Sequence, residues 1–158
     1  MNAPLSSMIA IAAIGIATLI PNTLGFAQEL QDASKPAQFT IAVKDKKFGT
    51  VKPDADVVRK AIHATDLLAF KDKTDKEITI TGKVYSVFAP KSHSIVLLNF
   101  ATNYKDAITV AIKAKDFASF PDLRKLKDKQ VVVTGKCIDY KGQPELEISL
   151  LKQLQIIE

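Results

Sequence analysis

The chain has 158 residues, 47% of them hydrophobic and 25% charged, so it can build one domain with an ordinary core and needs no disulfide or metal to hold it together. A single cysteine, Cys137, and two histidines thirty positions apart, His63 and His93, exclude a zinc site of local ligand spacing, and no pattern calls for a cofactor or any other metal. A net charge of +5 suits encounter with polyanions such as nucleic acid, lipid headgroups or anionic wall polymers, without selecting among them.

Residues 1–27 carry no charged side chain, and all 22 basic and 17 acidic residues follow them. The run Met8–Ile20 is too short to span a bilayer but fits the apolar core of a secretory signal. Pro21 and Asn22 break it, and Gly25-Phe26-Ala27 offers small residues where a signal peptidase reads, so cleavage after Ala27 is expected. The mature chain is then exported, periplasmic or secreted, and not stably inserted in a membrane. Retention of the leader as an anchor is the alternative, because its only positive charge is the amino terminus. A lone cysteine suits an oxidising compartment.

Gln28–Pro36 is polar and unpatterned, a tether, and Gln38–Val43 alternates weakly as a short strand. Lys44–Lys52 reads as a turn around Phe48-Gly49. From Asp54, a candidate cap after Pro53, the period becomes helical: Val57, Val58, Ala61, Ile62, Thr65 and Leu68 share a stripe, which predicts one helix or two short ones to about Phe70. His63 lies on or beside it, solvated or packed. Lys71–Lys76 is a charge-alternating loop.

Glu77–Phe88 alternates Ile78, Ile80 and Val84 with Thr79, Thr81 and Lys83, the signature of a strand with one buried face, and Gly82 is expected to mark a bend or bulge. Ala89–Ser94 is a polar turn. Ile95–Phe100 follows with Val96, Leu98 and Phe100 inward, which leaves Ile95 and Leu97 outward beside Asn99. That outer face must be covered by the helix near Val57–Leu68 or belong to a recognition surface. A third strand, Ala107–Lys113, turns Ile108, Val110 and Ile112 inward. Phe117, Phe120, Leu123 and Leu126 then recur at three-residue spacing, a short helical plug that Pro121 keeps short or splits.

Gln130–Tyr140 repeats the design of the first strand, with Val131, Val133 and Cys137 on one face and Gly135 at the bend. Cys137 is core filler there, not a nucleophile. Lys141-Gly142-Gln143 is a tight hairpin with Gly142 where positive φ is needed. Pro144–Leu150 places Leu146 and Ile148 inward and Glu145 and Glu147 outward, and Leu151–Glu158 closes the chain.

Three strands, a short helix and two strands within about eighty residues give a mainly β fold: a five-stranded OB-fold barrel with a short helix between strands 3 and 4, preceded by an N-terminal helical segment. The same residues carry a resemblance to OB-fold domains of bacterial exported and nucleic-acid-associated proteins. Its motifs stand as Thr81-Gly82-Lys83-Val84, Leu98-Asn99-Phe100, Asp116-Phe117 with Phe120, and Val133-Thr134-Gly135 through Tyr140, Gly142, Pro144, Glu145 and Leu146. Ala101 departs from the glycine usual after the second strand. The expected division is a leader over 1–27, a tether and helical extension over 28–75, and the OB-fold domain over 76–158.

The resemblance implies oligonucleotide or polysaccharide binding across the second and third strands, flanked by the first-to-second and fourth-to-fifth loops, and the expected ligand is single-stranded nucleic acid or another polyanion. The face in question presents Tyr85, Ile95, Leu97, Asn99, Thr109, Ala111 and Lys113, with Lys91 and His93 on one loop and Tyr140 and Lys141 on the other. The expected contacts are Lys83, Tyr85, Lys91, His93, Asn99, Lys113, Tyr140 and Lys141. Only Tyr85, Tyr104 and Tyr140 offer stacking faces, and Arg59 and Arg124 are the only arginines. Thermonuclease-like hydrolases also use this barrel, but Thr79, Thr81, Thr109 and Ala111 stand where strand carboxylates would be needed, so the expectation is a protein without catalytic residues. The alternative is a non-enzymatic accessory or stress-related periplasmic module that binds a small ligand or a protein partner.

Overall fold

The structure is a computed structural model that describes residues 46–158; the expected leader, the tether and the strand at Gln38–Val43 lie outside the described residues. The sheet is built on β7 (Gln130–Tyr140), the long strand expected at those bounds. Its first half pairs antiparallel with β3 (Glu77–Lys83) on one side and with β9 (Leu154–Ile157) on the other; its second half pairs with β8 (Gln143–Ile148). β8 lies parallel to β6 (Thr109–Lys113), β6 antiparallel to β5 (Ile95–Asn99), and β5 antiparallel to β4 (Ser86–Phe88). β3 and β4 follow each other in the chain, so the sheet curls until its two ends meet in one polypeptide run.

The result is mainly β, a curled half-barrel whose order is consistent with an OB-fold, but among the described residues it contains nine strands where the barrel was expected to have five. The surplus has a physical origin. The first expected strand is split in two, because at Val84 and Tyr85 it leaves β7 and takes up β5: Tyr85 N–H donates to the Asn99 carbonyl at 2.8 Å, and Ser86 then pairs with Asn99. The ladder runs without interruption through Gly82, which faces Val131, so the expected bend lies two residues later than the glycine. The other additions are short strands: β1 (Gly49–Val51), parallel to β9, β2 (Ile62–His63), parallel to β3, and β9 itself.

The N-terminal helical expectation is corrected. Among the described residues α-helix covers only Asp56–Arg59, its N-cap is Ala55 and not Asp54, and Leu67–Phe70 forms a 3-10 turn. Between them the chain is extended, because Ala64 N–H donates to Thr81 O and Ala64 O accepts from Ile108 N–H, both at 2.8 Å. Bonds to the sheet outcompete a four-residue helix that cannot sustain itself in water. Lys44–Lys52 is likewise not all turn, since β1 occupies Gly49–Val51.

The core matches the alternation. Ile80, Val84, Val96, Leu98, Ile108, Val110, Ile112, Val131, Val133 and Leu146 are fully buried, with Cys137 among them. The expected plug between the third and fourth strands of the barrel is two 3-10 segments, Ala114–Ser119 and Leu123–Leu126, separated at Pro121; Phe120, Leu123 and Leu126 are buried. Lys141 and Gly142, at φ 56° and 82°, form the two-residue turn between β7 and β8, and the Asp139 carboxylate accepts from Gly142 N–H at 2.7 Å.

Candidate functional site

Outward side chains of β5 and β6 line a groove with two chambers that share Leu97, Tyr140 and Glu145. The larger, about 650 Å³, is bounded by Phe88, Tyr104, Lys105, Tyr140 and Lys141 over a floor of Leu97, Asn99, Thr109 and Glu145. The smaller, about 510 Å³, runs past Ile95, Lys113 and Lys115. The sequence left two fates for the outer face of β5, cover by the helix or recognition. Among the described residues the helix Asp56–Arg59 lies against β3, and the β5 face lines the groove.

Three exposed rings surround the larger chamber, each from a different connection. Phe88 ends β4, Tyr104 opens the 3-10 turn Tyr104–Asp106 between β5 and β6, and Tyr140 ends β7 at the hairpin. The Lys105 ammonium stands 5.9 Å from the Tyr104 ring centre, and that of Lys141 5.2 Å from Tyr140. A lysine over an exposed ring is worth roughly 0.5–1 kcal/mol, less than the roughly 1–3 kcal/mol of a stacked base, so such a lysine can yield its ring and turn to a phosphate.

The floor is unusual in carrying an acid. Glu145 is 8% exposed and Thr109, opposite it in the β6–β8 ladder, 9%. Neither side chain makes a hydrogen bond or ion pair with a described residue. Burial pushes the Glu145 carboxyl up from its ordinary value, the Glu147 charge adds to this, and Lys113 opposes it. Lys113 binds Glu147 at 2.7 Å, which holds the ammonium above its ordinary value. Among the described residues, no three His, Cys, Asp or Glu side chains are grouped to hold a metal ion.

Of the eight residues expected to make contacts, Asn99, Lys113, Tyr140 and Lys141 line the groove. Asn99 also donates to Ser86 Oγ at 3.2 Å. Lys83 lies elsewhere, 3.4 Å from Asp128 and opposite Gln130, at the other end of β7 from Tyr140. Tyr85 is exposed at the β3–β4 junction, Lys91 is exposed on the β4–β5 turn, and His93 on that turn has φ 49° and a buried Nε2 without a partner; none of the three lines either chamber.

The sequence reading missed Phe88, Lys105, Gln143 and Glu145. Period two carried from Val84 would turn Phe88 inward. The change of partner at Tyr85 reverses the parity, so Val87 packs on the core and Phe88 faces out. Glu145 faces outward as expected, but it is buried there, opposite Thr109 and beside Tyr140 in the groove lining.

No family model and no curated protein matches the chain. Among solved structures it is similar to an aspartyl tRNA synthetase from Entamoeba histolytica, at 13% identity and TM-score 0.48, over 72% of this chain and 26% of that one. It is also similar to an asparaginyl-tRNA synthetase from Pyrococcus horikoshii (13%, TM-score 0.45, 63% of this chain and 23% of that one) and to the hypothetical protein ygiW from E. coli (14%, TM-score 0.40, 72% and 100%). The aligned part thus spans about a quarter of either synthetase. The functional reading rests on the groove.

Proposed function

We propose that this chain is an exported OB-fold protein that binds single-stranded nucleic acid in the groove over β5 and β6 and catalyses no reaction. The five-strand barrel in this reading consists of β3 with β4, then β5, β6, β7 and β8, with β1, β2 and β9 as additions. The observation that carries the binding reading is the pair of tyrosine–lysine couples, Tyr104 with Lys105 and Tyr140 with Lys141, brought to one chamber from two different loops. Each couple offers a base a flat face and its phosphate a cation, the combination that sequence-tolerant single-strand binding requires. Export is supported by the charge-free apolar leader.

A second reading, a non-enzymatic module for a small ligand, has one observation in its favour: the larger chamber, about 650 Å³, falls in the range of small-molecule sites. Titration of a fluorescent oligothymidine, followed by anisotropy from about 50 mM salt upward, separates the two. Single-strand binding gives an affinity that falls linearly on a log–log plot with salt. No binding at about 50 mM salt leaves the small-ligand reading in possession.

A further inference from the structure

We infer that Glu145 makes the groove selective for guanine within a single strand; this rests on the single-strand reading above. Glu145 is 8% exposed and makes no hydrogen bond or ion pair to any described residue, while its carboxylate oxygens are not sealed from solvent, so they keep their acceptor capacity for a ligand in the groove. Glu145 lies on the floor of both chambers and lines them with Tyr140, so its oxygens meet whatever enters beside that ring. An ionised carboxylate is an acceptor only, with two oxygens side by side. An unstacked base is read on its Watson–Crick edge. Guanine presents two adjacent donors there, N1–H and the 2-amino group, and matches both oxygens. Cytosine and adenine each offer one amino donor beside a ring-nitrogen acceptor that repels the second oxygen, and thymine sets one N–H between two carbonyls.

Charge complementarity assigns the rest of the ligand. Lys105 and Lys141 border the larger chamber and Lys113 and Lys115 the smaller, so the rim suits phosphates while the floor suits donors. An organic cation would satisfy the carboxylate but would have to displace two ammonium groups from the tyrosine rings it needs.

The experiment compares short oligothymidines carrying one central guanine, inosine, adenine or cytosine, measured by anisotropy on the purified protein at neutral pH and fixed salt. Guanine should bind about ten-fold more tightly than thymine, the yield of one good bidentate pair. Inosine, which lacks the 2-amino group, should fall between them. Glu145→Gln should abolish the guanine preference and bind oligothymidine more tightly, since a negative charge near the phosphates is gone; a thermal melt verifies that the variant is folded. Should Glu145→Gln not fold, the guanine–inosine difference in the unaltered protein decides alone. Oligothymidine binding without a guanine preference overturns this inference and leaves the single-strand reading standing. Absence of all oligonucleotide binding overturns both, whether or not choline binds in its place.

Discussion

Thr109 and Glu145 face each other across the parallel β6–β8 pair, and they are the two buried polar side chains among the described residues. The carboxyl is raised by burial, then by Glu147, while Lys113 on β6 works against both. In the pH window between the unfolded and the raised folded value, the folded state holds the proton more often, so stability falls as pH rises through that window. At neutral pH Glu145 is therefore a cost that glutamine would not carry. Glu145→Gln should melt at higher temperature than the unaltered protein at pH 7, and the difference should vanish below about pH 4, the ordinary carboxylate range. A difference in melting temperature independent of pH would show that the charge is not what costs stability.

Close approach, more than bending, explains the glycines. A methyl at Gly135 would lie 2.5 Å from the Glu147 carbonyl oxygen and 2.7 Å from Ile148 Cγ2, whereas at Gly82 it would meet the Phe100 ring at 2.9 Å and the Ala64 methyl at 3.0 Å. Backbone yields less than a ring. Gly135→Ala should lower the urea midpoint by the equivalent of about 1–3 kcal/mol, and by more than Gly82→Ala. Gly142→Ala meets no atom within 4 Å, and its loss, about 1–2 kcal/mol, comes from the left-handed φ of 82° alone.

Much of this fold was legible because period two survives wherever a strand keeps its partner. β7 kept its expected bounds, the Lys141-Gly142 turn was marked by its glycine, and Pro121 split the plug. Legibility failed where a distant strand decided the outcome. Ile62 to Ala64 sit in a helical pattern, yet bonds to Thr81 and Ile108 hold them extended. Leu154–Ile157 was left without a partner because its neighbours, Val131 to Val133 and β1, are remote in sequence. In the groove the hairpin residues Tyr140 and Lys141 could be named from the turn that projects them, but the alternation that turns Glu145 outward does not carry its burial beside Thr109 on β6, a strand more than thirty residues away in the chain.

Stacking and charge leave different signatures in binding. Tyr140→Ala, Tyr104→Ala and Phe88→Ala should each cost about 1–3 kcal/mol of oligothymidine affinity if a base rests on that ring, with the salt slope unchanged. Melting curves of the three variants distinguish a lost contact from a damaged fold.

Export is tested separately. Material recovered from outside the cytoplasm should have the intact mass of a chain beginning at Gln28. Material that retains Met1 to Ala27 contradicts cleavage and favours an anchor.

Binding in the groove is tested most directly by the salt slope of lysine variants. Lys105→Ala and Lys141→Ala should each reduce the slope of log affinity against log salt for oligothymidine by roughly 0.7, the release of one counterion from a single strand. Lys127→Ala, exposed near the far end of β7, should leave the slope close to that of the unaltered protein. Equal reductions in all three variants would contradict a site in the groove and indicate a diffuse basic surface.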